Sequence, residues 1–118
     1  MFEKSSTFTW WDIEDGVSSL AVQAVKRWEA EGLPKDTTEH PVVLRVWMTP
    51  SYAVGYTLTL IHDGHEVYVA EGGIKVIEPL SQVMAVAAEA AIWESTAELV
   101  GESAADKLTE GLLTWLRP

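Results

Sequence analysis

The chain has 118 residues, of which 47% are hydrophobic and 22% are charged. This composition is typical of a globular protein, and we predict a single α+β domain over residues 1–118. There is no cysteine, which excludes disulfides and thiolate metal sites. No apolar run reaches the roughly 18–20 residues of a membrane span, and the first residues lack the apolar segment of a secretory signal. A cytoplasmic location is therefore expected.

Acidic side chains dominate the charge, since 18 acidic residues oppose 8 basic ones and the formal net charge is −10. Such a charge repels phosphate groups, so direct binding to nucleic acid or to an anionic membrane is not expected. It favours a basic protein as the partner, although the same charge also serves solubility alone.

The first predicted element is a helix that begins after Thr9 and ends near Gly32. Thr9 and Asp12 have the spacing of a capping box, and Gly32 followed by Pro34 is typical of a helix end. Apolar residues recur between these limits at helical spacing: Ile13, Val17, Leu20, Ala24 and Trp28. This stripe predicts a helix with one buried face.

Three β-rich runs follow a polar linker: VVLRVWMT (residues 42–49), VGYTLTLIH (54–62) and HEVYVA (65–70). Their alternation with a period of two predicts an antiparallel sheet with one apolar face. The last two runs are expected to form a hairpin that pairs Leu60 with Val67. A short fourth strand in GGIKVIEP, after a turn at Gly72 and Gly73, would complete a three- to four-stranded meander.

Two helices are predicted after the sheet. Pro79 fits the first position of a helix, and Leu80–Trp93 is apolar almost all round, which favours a helix packed on the sheet. Gly101 is expected to end it, and the spacing of Ser103 and Asp106 predicts a new capping box. The last helix has an apolar stripe: Leu108, Leu112, Trp115 and Leu116. The predicted fold has an N-terminal helix, the antiparallel meander, and two C-terminal helices packed on one face of the sheet.

The three histidines form a candidate cluster. Asp63-Gly64 between two strands is typical of a type I′ turn, which makes His62 and His65 cross-strand partners. If the segment TPSY reverses the chain, His40 comes alongside them at one end of the sheet. Imidazoles beside carboxylates suit a divalent metal, whereas the alternative is a solvated or pH-sensitive patch. No spaced ligand motif supports a metal site, so no metal ligand is assigned.

Five acidic residues recur at intervals of four, and we name them the acidic set: Glu94, Glu98, Glu102, Asp106 and Glu110. On one uninterrupted helix they would form a ridge with charges about 6 Å apart, as in a mimic of nucleic acid. A break at Gly101 would instead divide them between two ordinary solvated faces. If the helix is uninterrupted, the acidic set is a candidate binding site.

Arg45 and Trp47 are further candidate binding residues. They share a strand face with Val43, opposite the predicted core. Arginine and tryptophan are enriched at the energetic centres of interfaces. Such a face is either open for binding or covered by the linker or the terminal helix.

The sequence contains no catalytic motif, so a non-enzymatic protein without a cofactor is expected. The order α-β-β-β-α resembles that of the double-stranded-RNA-binding domain. The segment EPLSQVMAVAAEAA, however, stands where such a domain needs lysines. RNA binding is therefore not expected.

The first hypothesis is a small acidic binding protein that inhibits or neutralises a basic, nucleic-acid-handling protein. Phage-encoded anti-defence proteins such as anti-CRISPR proteins, and immunity proteins or antitoxins, are examples of this class. The alternative is a structural or assembly protein that self-associates, for instance as a homodimer, through the open sheet face or the terminal helix. The third and least favoured hypothesis is a small metal-dependent enzyme built on His40, His62 and His65.

Overall fold

The structure is a computed structural model that describes residues 1–16, 18–49, 53–75 and 81–117. Its elements in chain order are β1 (Phe2–Phe8), α1 (Trp10–Glu14), α2 (Ser19–Ala30), β2 (His40–Met48), β3 (Ala53–His62), β4 (His65–Lys75), α3 (Gln82–Val100), α4 (Glu102–Thr109) and α5 (Leu112–Leu116). The α+β class and the antiparallel meander are as predicted.

The four strands form one antiparallel sheet in the order β1-β2-β3-β4. Val42 of β2 lies opposite Leu60 of β3, and His62 lies opposite His65 across the next turn. Both turn residues have positive φ, 49° for Asp63 and 76° for Gly64, which is the geometry of a type I′ turn. The predicted hairpin tip is therefore confirmed.

All helices of the core pack against one face of the sheet. The core takes residues of a single face from β2 and β3: Val42, Leu44, Val46, Val54, Leu58 and Leu60. Helical residues pack against them, among them Ile13, Trp28, Ala88, Ile92, Leu108, Leu112 and Leu116. The Tyr56 hydroxyl also donates a hydrogen bond to Ser95 of α3 (2.9 Å). We name the opposite side of the sheet, which carries Val43, Arg45 and Trp47, the open face.

The sequence did not predict β1. Its residues that face the core are Phe2, Lys4, Ser6 and Phe8, as the pairing with β2 shows. Only the two phenylalanines are buried, because β1 is an edge strand that is anchored at its ends. The alternation that identifies an inner strand is therefore missing from this segment.

The predicted first helix is in fact two helices. Ser18 is the N-cap of α2, and its hydroxyl accepts a hydrogen bond from the amide of Ala21 (3.1 Å). The same hydroxyl donates to the carbonyl of Glu98 in α3 (2.9 Å). The prediction of one continuous helix was wrong, because α1 ends at Glu14 and α2 begins at Ser19 with a cap of its own, which also attaches it to α3.

Both ends of that segment nevertheless lie where the sequence predicts. The Asp12 carboxylate accepts hydrogen bonds from the amide (2.6 Å) and the hydroxyl (3.1 Å) of Thr9. α2 ends at Ala30, two residues before Gly32. Of the predicted stripe, Ile13, Ala24 and Trp28 are buried, Leu20 is half-buried, and Val17 lies outside the described residues.

Gly72 and Gly73 do not form the predicted turn. They lie within β4, which runs without interruption from His65 to Lys75. The ring of Tyr56 on β3 covers Gly72, so an aromatic side chain fills the place of the missing one. The remainder of the predicted fourth strand, residues 76–79, lies outside the described residues.

A β-bulge near the hairpin tip changes the predicted pairing. Leu60 lies opposite Tyr68 and not opposite Val67, because the register shifts between Leu60 and Ile61. The shift places Val69 on the open face, where it is 40% exposed. Arg27 of α2 donates a hydrogen bond from Nε to the carbonyl of Val67 (3.0 Å), which attaches this edge strand to the helix.

The C-terminal helices differ from the prediction in their caps. Ser81 caps α3, whereas the predicted start at Pro79 lies outside the described residues. α3 ends at Val100 and Gly101 follows with φ 90° and ψ 164°, as expected for a glycine stop. Ser103 is not the N-cap that the sequence predicts, because α4 already begins at Glu102. A second stop, at Gly111 with φ 82°, separates α5 from α4.

Candidate binding surfaces

The acidic set lies on two helices, because the chain reverses at Gly101. The indole Nε1 of Trp93 donates a hydrogen bond to Oδ1 of Asp106 (2.7 Å), which joins α3 to α4. The five acids are therefore divided: Glu94 and Glu98 belong to α3, Glu102 and Asp106 to α4, and Glu110 follows α4. The straight ridge of one uninterrupted helix is not formed.

All five acidic side chains are exposed. Across the described ranges, ion pairs join other acids to bases: Glu3 to Arg45 (2.9 Å), Glu29 to Lys35 (3.0 Å) and Glu31 to Arg27 (3.4 Å). None of the described lysines and arginines pairs with a member of the acidic set. Lys107 of α4 instead lines a groove toward β1 with Ser6 and Asp12. The α3–α4 pair therefore carries uncompensated negative charge.

Arg45 and Trp47 lie on the open face, as predicted, and both are partly exposed. Arg45 Nε bonds Oε2 of Glu3 on β1 (2.9 Å). The Trp47 indole lies across Gly55, where an added Cβ would stand only 2.6 Å from Cε2 of the ring. The terminal helices do not cover this face, because Leu108, Leu112 and Leu116 pack into the core on the opposite side.

Two neighbours of Arg45 and Trp47 were missed by the sequence analysis. Glu3 stands beside Arg45 only because β1 joins the sheet, and β1 was not predicted. Val69 reaches the open face only because of the bulge in β4. The three charged or polar residues that follow Phe2 were the available signal for an exposed edge strand, but that signal is weak.

His40 and His62 meet at the end of the sheet, with their Nδ1 atoms 3.1 Å apart. Nε2 of His62 lies 3.3 Å from Oδ2 of Asp63. A proton on that Nε2 faces the carboxylate, so we assign Nδ1 of His62 as the acceptor and Nδ1–H of His40 as the donor. His65, the cross-strand partner of His62, has an exposed side chain.

His40 is buried, with 3% of its surface exposed, and its ring meets Trp28 edge to face at 4.7 Å between centroids. Its Nε2 atom has no hydrogen-bond partner among the described residues. Burial lowers the pKa of His40 below the ordinary value, and the neighbouring His62 lowers it further, while Asp36 and Asp63 oppose the shift. The folded protein therefore favours neutral His40.

We expect the protein to lose stability as the pH falls from about 7.5 to about 5.5. Above the ordinary histidine pKa of about 6.5, His40 is neutral in both the folded and the unfolded state. Below it, the unfolded chain takes up a proton that the folded state accepts only at a lower pH. The free energy of unfolding then falls with pH, by at most about 1.4 kcal/mol per pH unit for one group. Urea denaturation at stepped pH measures this slope.

Two variants identify the group that is responsible. H40Q is expected to flatten the slope, because glutamine does not titrate, whereas H65Q leaves His40 in place and should keep it. A slope in H40Q equal to that of the unchanged protein would contradict the assignment to His40.

The geometry of the described residues does not support a metal site built on His40, His62 and His65. In the part of the chain that the structure describes, no group of three or more His, Cys, Asp or Glu side chains is arranged to hold a metal ion. His40 and His62 face each other through a hydrogen bond, and His65 is directed to solvent.

Comparisons with family models, with curated proteins and with solved structures gave no significant match. Among the described helices, none is long and apolar enough to cross a membrane. The molecule is thus defined by its fold, a four-stranded antiparallel meander with helices on one face, and by its two candidate surfaces.

Proposed function

We propose that the chain is a small non-enzymatic binding protein that acts in the cytoplasm and inhibits or neutralises a basic, nucleic-acid-handling protein. The observation that carries this proposal is the exposed, uncompensated acidic set on α3 and α4. Phage anti-defence proteins, including those of the anti-CRISPR kind, and immunity proteins or antitoxins act in this way as a class.

The physical argument is electrostatic. Exposed carboxylates of like charge repel one another in the free protein and destabilise it slightly. A basic surface that binds phosphate groups offers positive charge to the same carboxylates, which relieves this repulsion and speeds association. Occupation of that surface by the acidic set excludes nucleic acid from it.

The reversal at Gly101 concentrates this charge. Five acids at intervals of four on one helix would extend over about 24 Å. The hydrogen bond between Trp93 and Asp106 instead holds Asp106 beside the residue that precedes Glu94, so the set spans less than this length. A compact group of charges produces a stronger local potential than a row of the same charges.

Arg45 and Trp47 lie on the open face, whereas the acidic set lies on the helical side of the sheet. The sheet stands between these two surfaces. We therefore assign the basic partner to the acidic set and treat the open face separately.

Neutralising three members of the acidic set is expected to weaken binding. The variant E94Q/E98Q/E102Q should bind the partner at least about tenfold more weakly at low salt and with a smaller dependence on salt, because fewer charges attract it. Its free energy of unfolding should stay equal or rise by a few tenths of a kcal/mol, since one repulsive pair on α3 is removed. Capture of a basic protein from a native-host lysate at low salt, followed by calorimetry with that purified protein, measures the effect.

The matched control is D15N/E31Q/E39Q, which removes the same charge from three other exposed acids that lie outside the open face. This control is expected to bind nearly as tightly as the unchanged protein. Equal weakening in both variants would show that only net charge matters, which would reject the acidic set as the site. Failure to capture any basic protein at low salt would reject the proposed function itself.

A further inference from the structure

The open face carries little net charge. By strand register its charged residues are Glu3, Arg45, Glu66, Glu71 and Lys75. Three acids and two bases give the face a net charge of −1, against −10 for the whole chain. Most of the negative charge therefore lies elsewhere, so two copies that meet at the open face repel each other less than two copies that meet at the acidic set.

The side chains of the open face are already held in place. Val43 and Thr59, at its centre, are buried although the core helices lie on the other side of the sheet. Their neighbours Arg45 and Trp47 are only partly exposed. Arg45 has its counter-charge on β1, and Trp47 rests on the backbone of Gly55. Such a preorganised surface loses little conformational entropy on binding.

The size of the open face also suits a stable interface. Strands of 7 to 11 residues lie side by side in this four-stranded sheet. Spacings of about 4.8 Å between strands and about 3.3 Å between residues give a plane of roughly 450 Å². Side chains add to this area, which brings it toward the ~800 Å² per partner of a standard interface.

We propose that the open face is a homodimer interface, in which the sheets of two copies pack face to face about a twofold axis. Aligned sheets pack about 10 Å apart, and a twofold axis brings the same surface of both copies together. The ion pair of Arg45 and Glu3 then enters the interface with its charges already matched. The helical layers stay on the outside, so the dimer presents two acidic sets on opposite sides.

A second apolar surface competes with the open face for this role. Val83 and Val86 of α3 are 77% and 45% exposed. They form a narrow strip on one helix, whereas the open face extends over four strands. The variant V86E therefore tests whether this second surface, and not the open face, forms the dimer.

The test compares two exposed valines. Val69 is on the open face and 40% exposed, and Val22 is on α2 and 47% exposed. Sedimentation equilibrium from about 1 to about 300 µM is expected to show a dimer with a Kd in or below the micromolar range. V69E should raise this Kd at least about tenfold, because it places like charges from both copies in the interface, whereas V22E should leave it unchanged. Circular dichroism is expected to show that both variants fold, since both positions are exposed.

Salt dependence separates this interface from the binding of a basic partner. Each copy has a formal charge of −10, so raising the salt from about 0.05 to about 0.5 M should strengthen the dimer. The complex with a basic protein should weaken over the same range. A monomer at every concentration, a dimer that salt weakens, or a dimer that V86E breaks and V69E does not would each overturn the proposal.

Discussion

Replacing Trp28 by alanine is expected to lower the free energy of unfolding by about 3–5 kcal/mol, a large part of the stability of a small domain. Trp28 is fully buried, and three rings surround it: Phe8 at 6.2 Å, Trp10 at 5.8 Å and His40 at 4.7 Å between centroids. Alanine would leave a cavity at the place where α2 packs against two strands, β1 and β2. Urea denaturation followed by circular dichroism measures the loss.

Phenylalanine at the same position tests a second property of this side chain. The Nε1–H of Trp28 is buried without a hydrogen-bond partner among the described residues. W28F removes this unsatisfied donor, which offsets part of the lost packing, so its expected cost is only about 1–2 kcal/mol. W11A, which changes a side chain that is 51% exposed, should cost less than about 0.5 kcal/mol. If W28F and W28A lowered the free energy of unfolding equally, the inference that Trp28 carries a costly unsatisfied donor would be contradicted.

Replacing Gly101 by alanine is expected to lower the free energy of unfolding by about 1–3 kcal/mol. Gly101 has φ 90° and ψ 164°, a conformation that essentially only glycine adopts. The substitution favours continuation of α3 into α4, which separates Trp93 from Asp106 and extends the acidic set. Denaturation gives the free energy, and the NMR signal of the Trp93 indole N–H reports the hydrogen bond.

The matched control for this substitution is G73A. Gly73 lies in β4 without a positive φ, and an added Cβ would meet only the carbonyl of Val54 at 3.7 Å. Its cost is expected to lie within about 0.5 kcal/mol of zero. A cost for G101A no larger than that for G73A would show that the chain reverses at Gly101 without requiring glycine.

The inner strands could be predicted from the sequence because their two faces differ chemically. In β2, Val42, Leu44 and Val46 face the core, while Arg45 and Trp47 alternate with them and face away. The same argument placed Arg45 and Trp47 on the open face. It failed for β1, because an edge strand buries only its ends and shows no alternation between them.

Other features depend on contacts that no local pattern contains. The bulge at Val67 moves Val69 from the core to the open face, which a strict period of two does not predict. The separate start of α2 is favoured by a contact of Ser18 with Glu98, 80 residues away in the sequence. For the acidic set, the sequence left open whether α3 continues past Gly101, and the reversal there decides how the charges are distributed.

The position of β1 has a consequence for the order of events during synthesis. β1 pairs with β2, from Phe2 opposite Val46 to Phe8 opposite His40, so two helices and a linker are made between the partners. The nascent chain therefore carries Phe2 and Phe8 unpaired until β2 has left the ribosome. Pairings of this kind form slowly, because the intervening segment must lose its freedom first. Until β1 docks, the free edge of β2 is exposed to pairing with other chains, and intermediates with such unpaired edges are prone to aggregate.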